Sequence, residues 1–166
     1  MPTKVFIAAV ASIMAASSAG AQETDVPCRE LADSLARQAT REVLADAVEA
    51  DPSLKHLSEE ELAKKAGRIF LSAERPDFKA YGFIMLLWFG GEEGRGIAAQ
   101  GAADLQTEDE RAHFYFVQGM YQLRASSSEL ANTGRDYIRQ IRDTGKVTFV
   151  SDDMWDQLIN RCRLPS

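Results

Sequence analysis

Apolar residues recur every three or four positions along most of this chain, a spacing that lines them up on one side of a helix. Leu31, Leu35, Ala39 and Val43 make a drifting stripe over residues 27–50, and Asp51-Pro52 ends it. Ser58-Glu59-Glu60-Glu61 has the form of a capping box, in which the serine and the third glutamate each satisfy a free first-turn amide. It predicts a helix with Leu62, Ala66, Ile69, Phe70 and Ala73 turned inward, stopping before Arg75-Pro76. Phe83 to Phe89 is apolar at every position, so it has no face to offer to water. A buried central helix is expected there, with a buried strand as the alternative.

Gly90-Gly91-Glu92-Glu93-Gly94-Arg95-Gly96 reads as a connecting loop, and the Ala-rich stretch 97–105 after it has weak patterning. Thr107-Glu108-Asp109-Glu110 repeats the capping box and opens a helix to about Leu123. A serine turn leads to a helix over 129–143 with Leu130, Gly134, Tyr137, Ile138 and Ile141 on one face and Gly145 as its cap. These two helices form an αα-hairpin. Val147-Thr148-Phe149-Val150 is β-prone but isolated, and is expected to be extended linker. Ser151 caps the last helix, whose stripe is Trp155, Leu158, Ile159 and Cys162. The fold expected is an all-α, single-domain bundle of about five to six helices.

The N-terminus departs from this pattern. Lys4 precedes the apolar run Val5 to Ala16, and Ser17-Ser18-Ala19-Gly20-Ala21 supplies small residues. That order is the signature of a cleaved secretory signal, residues 1–21, leaving residues 22–166 as the helical domain. The run is shorter than the ~20 residues of a membrane span, so no stable span is expected after cleavage. The destination is periplasmic or secreted.

Export changes the reading of the two cysteines. In an oxidising compartment a lone pair most often bridges. Cys28 shares a face with Leu31 and Leu35, and Cys162 shares one with Leu158 and Ile159, so each thiol lies on an apolar stripe. A disulfide joining the first and last helices is expected. The formal charge of −6 becomes −7 once Lys4 is removed, which disfavours a nucleic-acid partner.

Candidate chemistry is sparse. Glu92, Glu93 and Arg95 make the glycine segment a candidate loop site, since a carboxylate beside a greasy helix can act as a general acid or base on an envelope polymer. Glu110 and His113 stand one helical turn apart, but the second pair that a di-iron bundle needs is missing. No metal or cofactor is expected. Arg135, Arg139 and Arg142 line the outer side of their helix, partly neutralised by Asp136 and Asp143. The helix 108–123 is apolar on two sides. Ala112, Tyr115, Phe116, Gly119, Met120 and Leu123 face inward, while Phe114, Val117 and Tyr121 lie opposite. Such a helix is either enclosed in a core or exposes a partner-binding or self-association surface. The function expected is a non-catalytic protein-binding factor with an inhibitor, immunity-type, chaperone or envelope-assembly role. Its alternatives are the enzyme using Glu92 or Glu93, and a carrier of an apolar ligand beneath residues 83–89.

Overall fold

The computed structural model describes residues 26–163; the expected leader, residues 1–21, lies outside the described residues. Among those described there are seven α-helices and no strand. They are α1 (Val26–Ala50), α2 (Glu59–Leu71), α3 (Pro76–Ile84), α4 (Gly91–Ala103), α5 (Glu108–Gln122), α6 (Ser128–Thr144) and α7 (Asp152–Cys162). A 3-10 turn, Pro52–His56, follows α1, and a π-helical turn, Met85–Phe89, prolongs α3. The chain is an all-α single domain.

Both capping boxes form. The Ser58 amide donates to Glu61 Oε2 at 3.0 Å and the Glu61 amide to Ser58 Oγ at 3.2 Å. The Thr107 amide donates to Glu110 Oε2 at 2.9 Å and the Glu110 amide to Thr107 Oγ1 at 3.1 Å. Gly145 ends α6 at φ 62°, the left-handed geometry that glycine adopts without a Cβ penalty. Residues 147–150 form no helix or strand, yet Val147 and Val150 are buried. Phe149 stands 5.6 Å from the Phe116 ring and 5.7 Å from both Tyr81 and His113. The linker is therefore an anchor as well as a connection.

The all-apolar segment is the centre of the molecule. Phe83, Met85 and Leu86 are fully buried, and Ile84 and Leu87 nearly so. It is helical throughout, although the register widens to a π turn over its second half. α1, α2 and α5 pack around α3, and α4 closes on the π turn.

The glycine segment differs from expectation. Gly90 alone is a turn, and Gly91 begins α4, so 91–96 is the start of a helix rather than a loop. Each glycine in a helix costs about 1 kcal/mol against alanine, which is why the local pattern reads as a break. Packing overrides that preference. A Cβ on Gly90 or on Gly94 would lie 2.7 Å from the Leu86 carbonyl oxygen, so only glycine lets α4 start against the buried π turn. This additional helix raises the count above the five to six expected. Ile69 is a second correction: it is 59% exposed, not inward.

Cys28 and Cys162 are bridged, with Cα atoms 4.7 Å apart and both residues buried, so the first and last helices are joined. The bridge closes a loop of 134 residues, which on the chain-entropy account contributes on the order of 4–5 kcal/mol. At the most extensive helix–helix contact, α5 and α6 cross backbone to backbone. A Cβ on Gly134 would meet the Gly119 carbonyl oxygen at 2.6 Å, and one on Gly119 would meet the Gly134 oxygen at 3.0 Å. Gly134→Val is therefore expected to destabilise the protein by about 2–3 kcal/mol through overpacking. Urea denaturation measures this; an unchanged midpoint would show that α5 and α6 do not meet there.

Candidate functional site

The side of α5 that carries Phe114, Val117 and Tyr121 is not a free surface. Phe114 and Val117 are fully buried and Tyr121 is half-buried. The Phe114 ring stands 4.7 Å from Phe83, and Tyr121 meets Trp88 edge-on at 5.0 Å. Trp88 donates through Nε1 to Asp33 Oδ1 at 3.0 Å, and Asp33 also pairs with Arg124. The Arg124 guanidinium lies 5.2 Å from the Tyr121 ring and 5.6 Å from Trp88. α5 is thus the enclosed core helix, apolar on two sides because α3 covers one and α6 another.

Glu92, Glu93 and Arg95 share the first turns of α4, not a loop. Glu93 Oε2 is 2.8 Å from Lys64 Nζ and Oε1 is 3.5 Å from Arg68 Nη2. The Lys64 hydrogen bond above all holds the Glu93 carboxyl below its ordinary value. An exposed carboxylate kept ionised in this way is the reverse of what a general acid needs. It ties α4 to α2.

Glu110 and His113 point to separate partners. Glu110 is buried; burial pushes its carboxyl up, but the Lys79 ammonium at 2.9 Å and the amides of Thr107 and Gln106 outweigh this and hold it at about 2. His113 Nδ1 is 2.7 Å from the Asp109 carbonyl oxygen, and its ring stacks on Phe149. Among the described residues no three His, Cys, Asp or Glu side chains converge as metal ligands would. Arg135 donates from Nε to the Cys162 carbonyl at 2.7 Å, closing the end of α7, and Arg139 pairs with Asp136.

An open apolar groove lies elsewhere, where the cover over α1 thins. Cys28, Leu31, Ala32, Leu35, Ala36 and Thr40 are buried, but beyond Thr40 no residue of α1 is. Val43, Asp46 and Ala47 form one wall of a groove of about 460 Å³. Ile69 and Phe70, in the last turn of α2, and Ala73, just beyond it, form the second, and Phe78 and Tyr81 of α3 complete it. Ile69 and Phe78 are the exposed large apolar side chains among the described residues, at 59% and 37%, and both line this groove. Phe70 and Phe78 meet edge-on at 5.8 Å. The Arg75 guanidinium caps Phe78 at 4.3 Å while pairing with Asp77 through two hydrogen bonds.

A second groove of about 210 Å³ continues the first, sharing Val43 and Tyr81 and reaching Leu35, Phe149 and Met154. Neither is lined by the segment 83–89, whose last residue, Phe89, instead lines a groove of about 430 Å³ with Arg37, Thr40, Arg41, Leu44 and Glu59. Tyr81 lies where the first two meet. Burial, and then the negative charges of Asp77 and Glu42, push its hydroxyl up, so it stays protonated. The rim is acidic: Asp46 lines the larger groove and Glu42 the smaller. Sequence reasoning missed this site because it assigned Ile69 to the core. The signal available was Val43, Leu44, Ala47 and Val48, an apolar face continuing to the very end of a long helix.

Glu110 generates a pH prediction. Its folded value of about 2 lies below the ordinary 4.5, so the stabilisation is complete above pH ~4.5 and is lost as pH falls toward 2. Glu110→Gln is expected to cost about 2–3 kcal/mol at pH 7, with the difference from the parent protein closing toward pH 2. Urea denaturation at several pH values checks it, and a difference independent of pH would remove the assignment. No helix among the described residues is long and apolar enough to cross a membrane. Compared with protein-family models, curated proteins and solved structures, the chain matches none.

Proposed function

We propose that this chain is an exported, non-catalytic protein-binding factor of the periplasm or extracellular space, which holds its partner in the groove between α1, α2 and α3. The observation that carries this is the pair Ile69 and Phe78, the large apolar side chains exposed among the described residues, both lining one groove. Burying such groups is a main source of binding free energy, and aromatic side chains in pockets are common anchors. An inhibitor, an immunity-type protein, a chaperone and an assembly factor all need such a surface and no reacting groups.

Export is supported by two independent features. The leader, residues 1–21, has the basic, apolar and small-residue order of a cleaved signal. The Cys28–Cys162 bridge is of a kind that persists in oxidising compartments. The catalytic alternative loses support at Glu93, which is paired and held ionised on a helix.

A photo-reactive residue placed at position 69 in the native host is expected to give a discrete crosslinked protein adduct, which Phe78→Asp abolishes while circular dichroism stays unchanged. The same probe at Gln140, exposed on α6, is the control. No adduct at 69, or equal adducts at both positions, would contradict the groove as the binding face.

A further inference from the structure

Resting on that reading, we infer that the occupant of the groove is a cationic amphipathic helix of a partner protein, laid along α1 from Leu35 to Ala47. Three observations define this occupant. The first is length. The joined grooves follow α1 from Leu35 to Ala47, about 18 Å at 1.5 Å per residue, which matches roughly three turns of a docked helix. Apolar anchors at i, i+3 or i+4, and i+7 on such a helix would meet the successive hollows beside Leu35, Tyr81 and Phe78.

The second is the backbone. A bound segment must satisfy its own N–H and C=O groups wherever water is displaced. No strand exists among the described residues, so an extended peptide finds no sheet edge to join. A helix brings its hydrogen bonds with it.

The third is charge. Glu42, Asp46 and Glu49 stand at i, i+4 and i+7 along α1, on one stripe beside the apolar wall. All three are exposed, and none forms an ion pair among the described residues. Across the groove the Arg75 charge is already taken up by Asp77. The charged side chains that line the two grooves, Glu42 and Asp46, are both negative, and they select a segment flanked by lysine or arginine. The same stripe disfavours a second copy of this chain, since a two-fold contact here would oppose acidic rims. It also disfavours a fatty-acid carboxylate.

The test uses two labelled synthetic helical peptides of about fourteen residues with the same Leu/Phe stripe, one flanked by Lys and one by Glu. Fluorescence anisotropy with the mature protein is expected to show the Lys peptide binding about tenfold or more tightly than the Glu peptide, with a preference that shrinks at high salt. Glu42→Lys with Asp46→Lys removes the preference. Phe78→Asp weakens the Lys peptide even though it adds a negative charge, which separates groove binding from general attraction to an acidic protein. Equal affinity for both peptides, or no binding of either, overturns the cationic helix; the photo-crosslinking result then decides separately whether the groove binds protein at all. Lys-peptide binding that ignores Phe78→Asp also overturns it, as does a concentration-dependent dimer that Phe78→Asp dissociates.

Discussion

A helix that is apolar on every side has nothing to present to solvent, and this fold is the enclosure of one such helix. Phe83 to Leu87 can be satisfied only by neighbours all round, and α1, α2, α4 and α5 provide them. Most of the other features serve that enclosure. Gly90 and Gly94 let α4 close against the Leu86 carbonyl. Trp88, at the edge of the segment, is tied by Asp33 to α1 and shares Arg124 with Tyr121. The disulfide holds α7 on the first turn of α1, so the helix covering one flank of the core is fastened at its start.

The groove is a geometric consequence. α1 has 25 residues, about 37 Å of helix, and its buried positions stop at Thr40. Past that point its apolar face is only partly covered, with Val43 and Leu44 packed on the Ala63, Ala66 and Met85 cluster. α2 ends with Ile69 and Phe70, and α3 begins with Phe78 and Tyr81, against that face, leaving a trough instead of a filled interior. The disulfide fastens the buried half of α1 and leaves the other half open along the groove.

Much of this fold was legible in the sequence, because the signals were local. Ser58, Thr107 and Ser151 start helices, Gly145 ends one, and both cysteines sit on apolar stripes that meet. Gly119 was rightly an inward position for a close helix. What escaped depended on distant partners. Glycine's low helix propensity hid the start of α4, since the reason for glycine there is the Leu86 carbonyl, which periodicity does not encode. The two-sided apolar pattern of α5 fitted a surface as well as a core until Phe83 and Trp88 were seen to cover Phe114 and Tyr121. Ile69 fitted the inner stripe of α2 by spacing alone, and only the way α1 passes leaves it open.

Native-state hydrogen exchange measured by mass spectrometry on the oxidised protein tests the enclosure most directly. Amides of residues 80–88 should be among the slowest, opening only with global unfolding, while residues 44–50 of α1 exchange orders of magnitude faster. Fast exchange across 83–87, with 44–50 equally or better protected, would contradict a fold built around that segment.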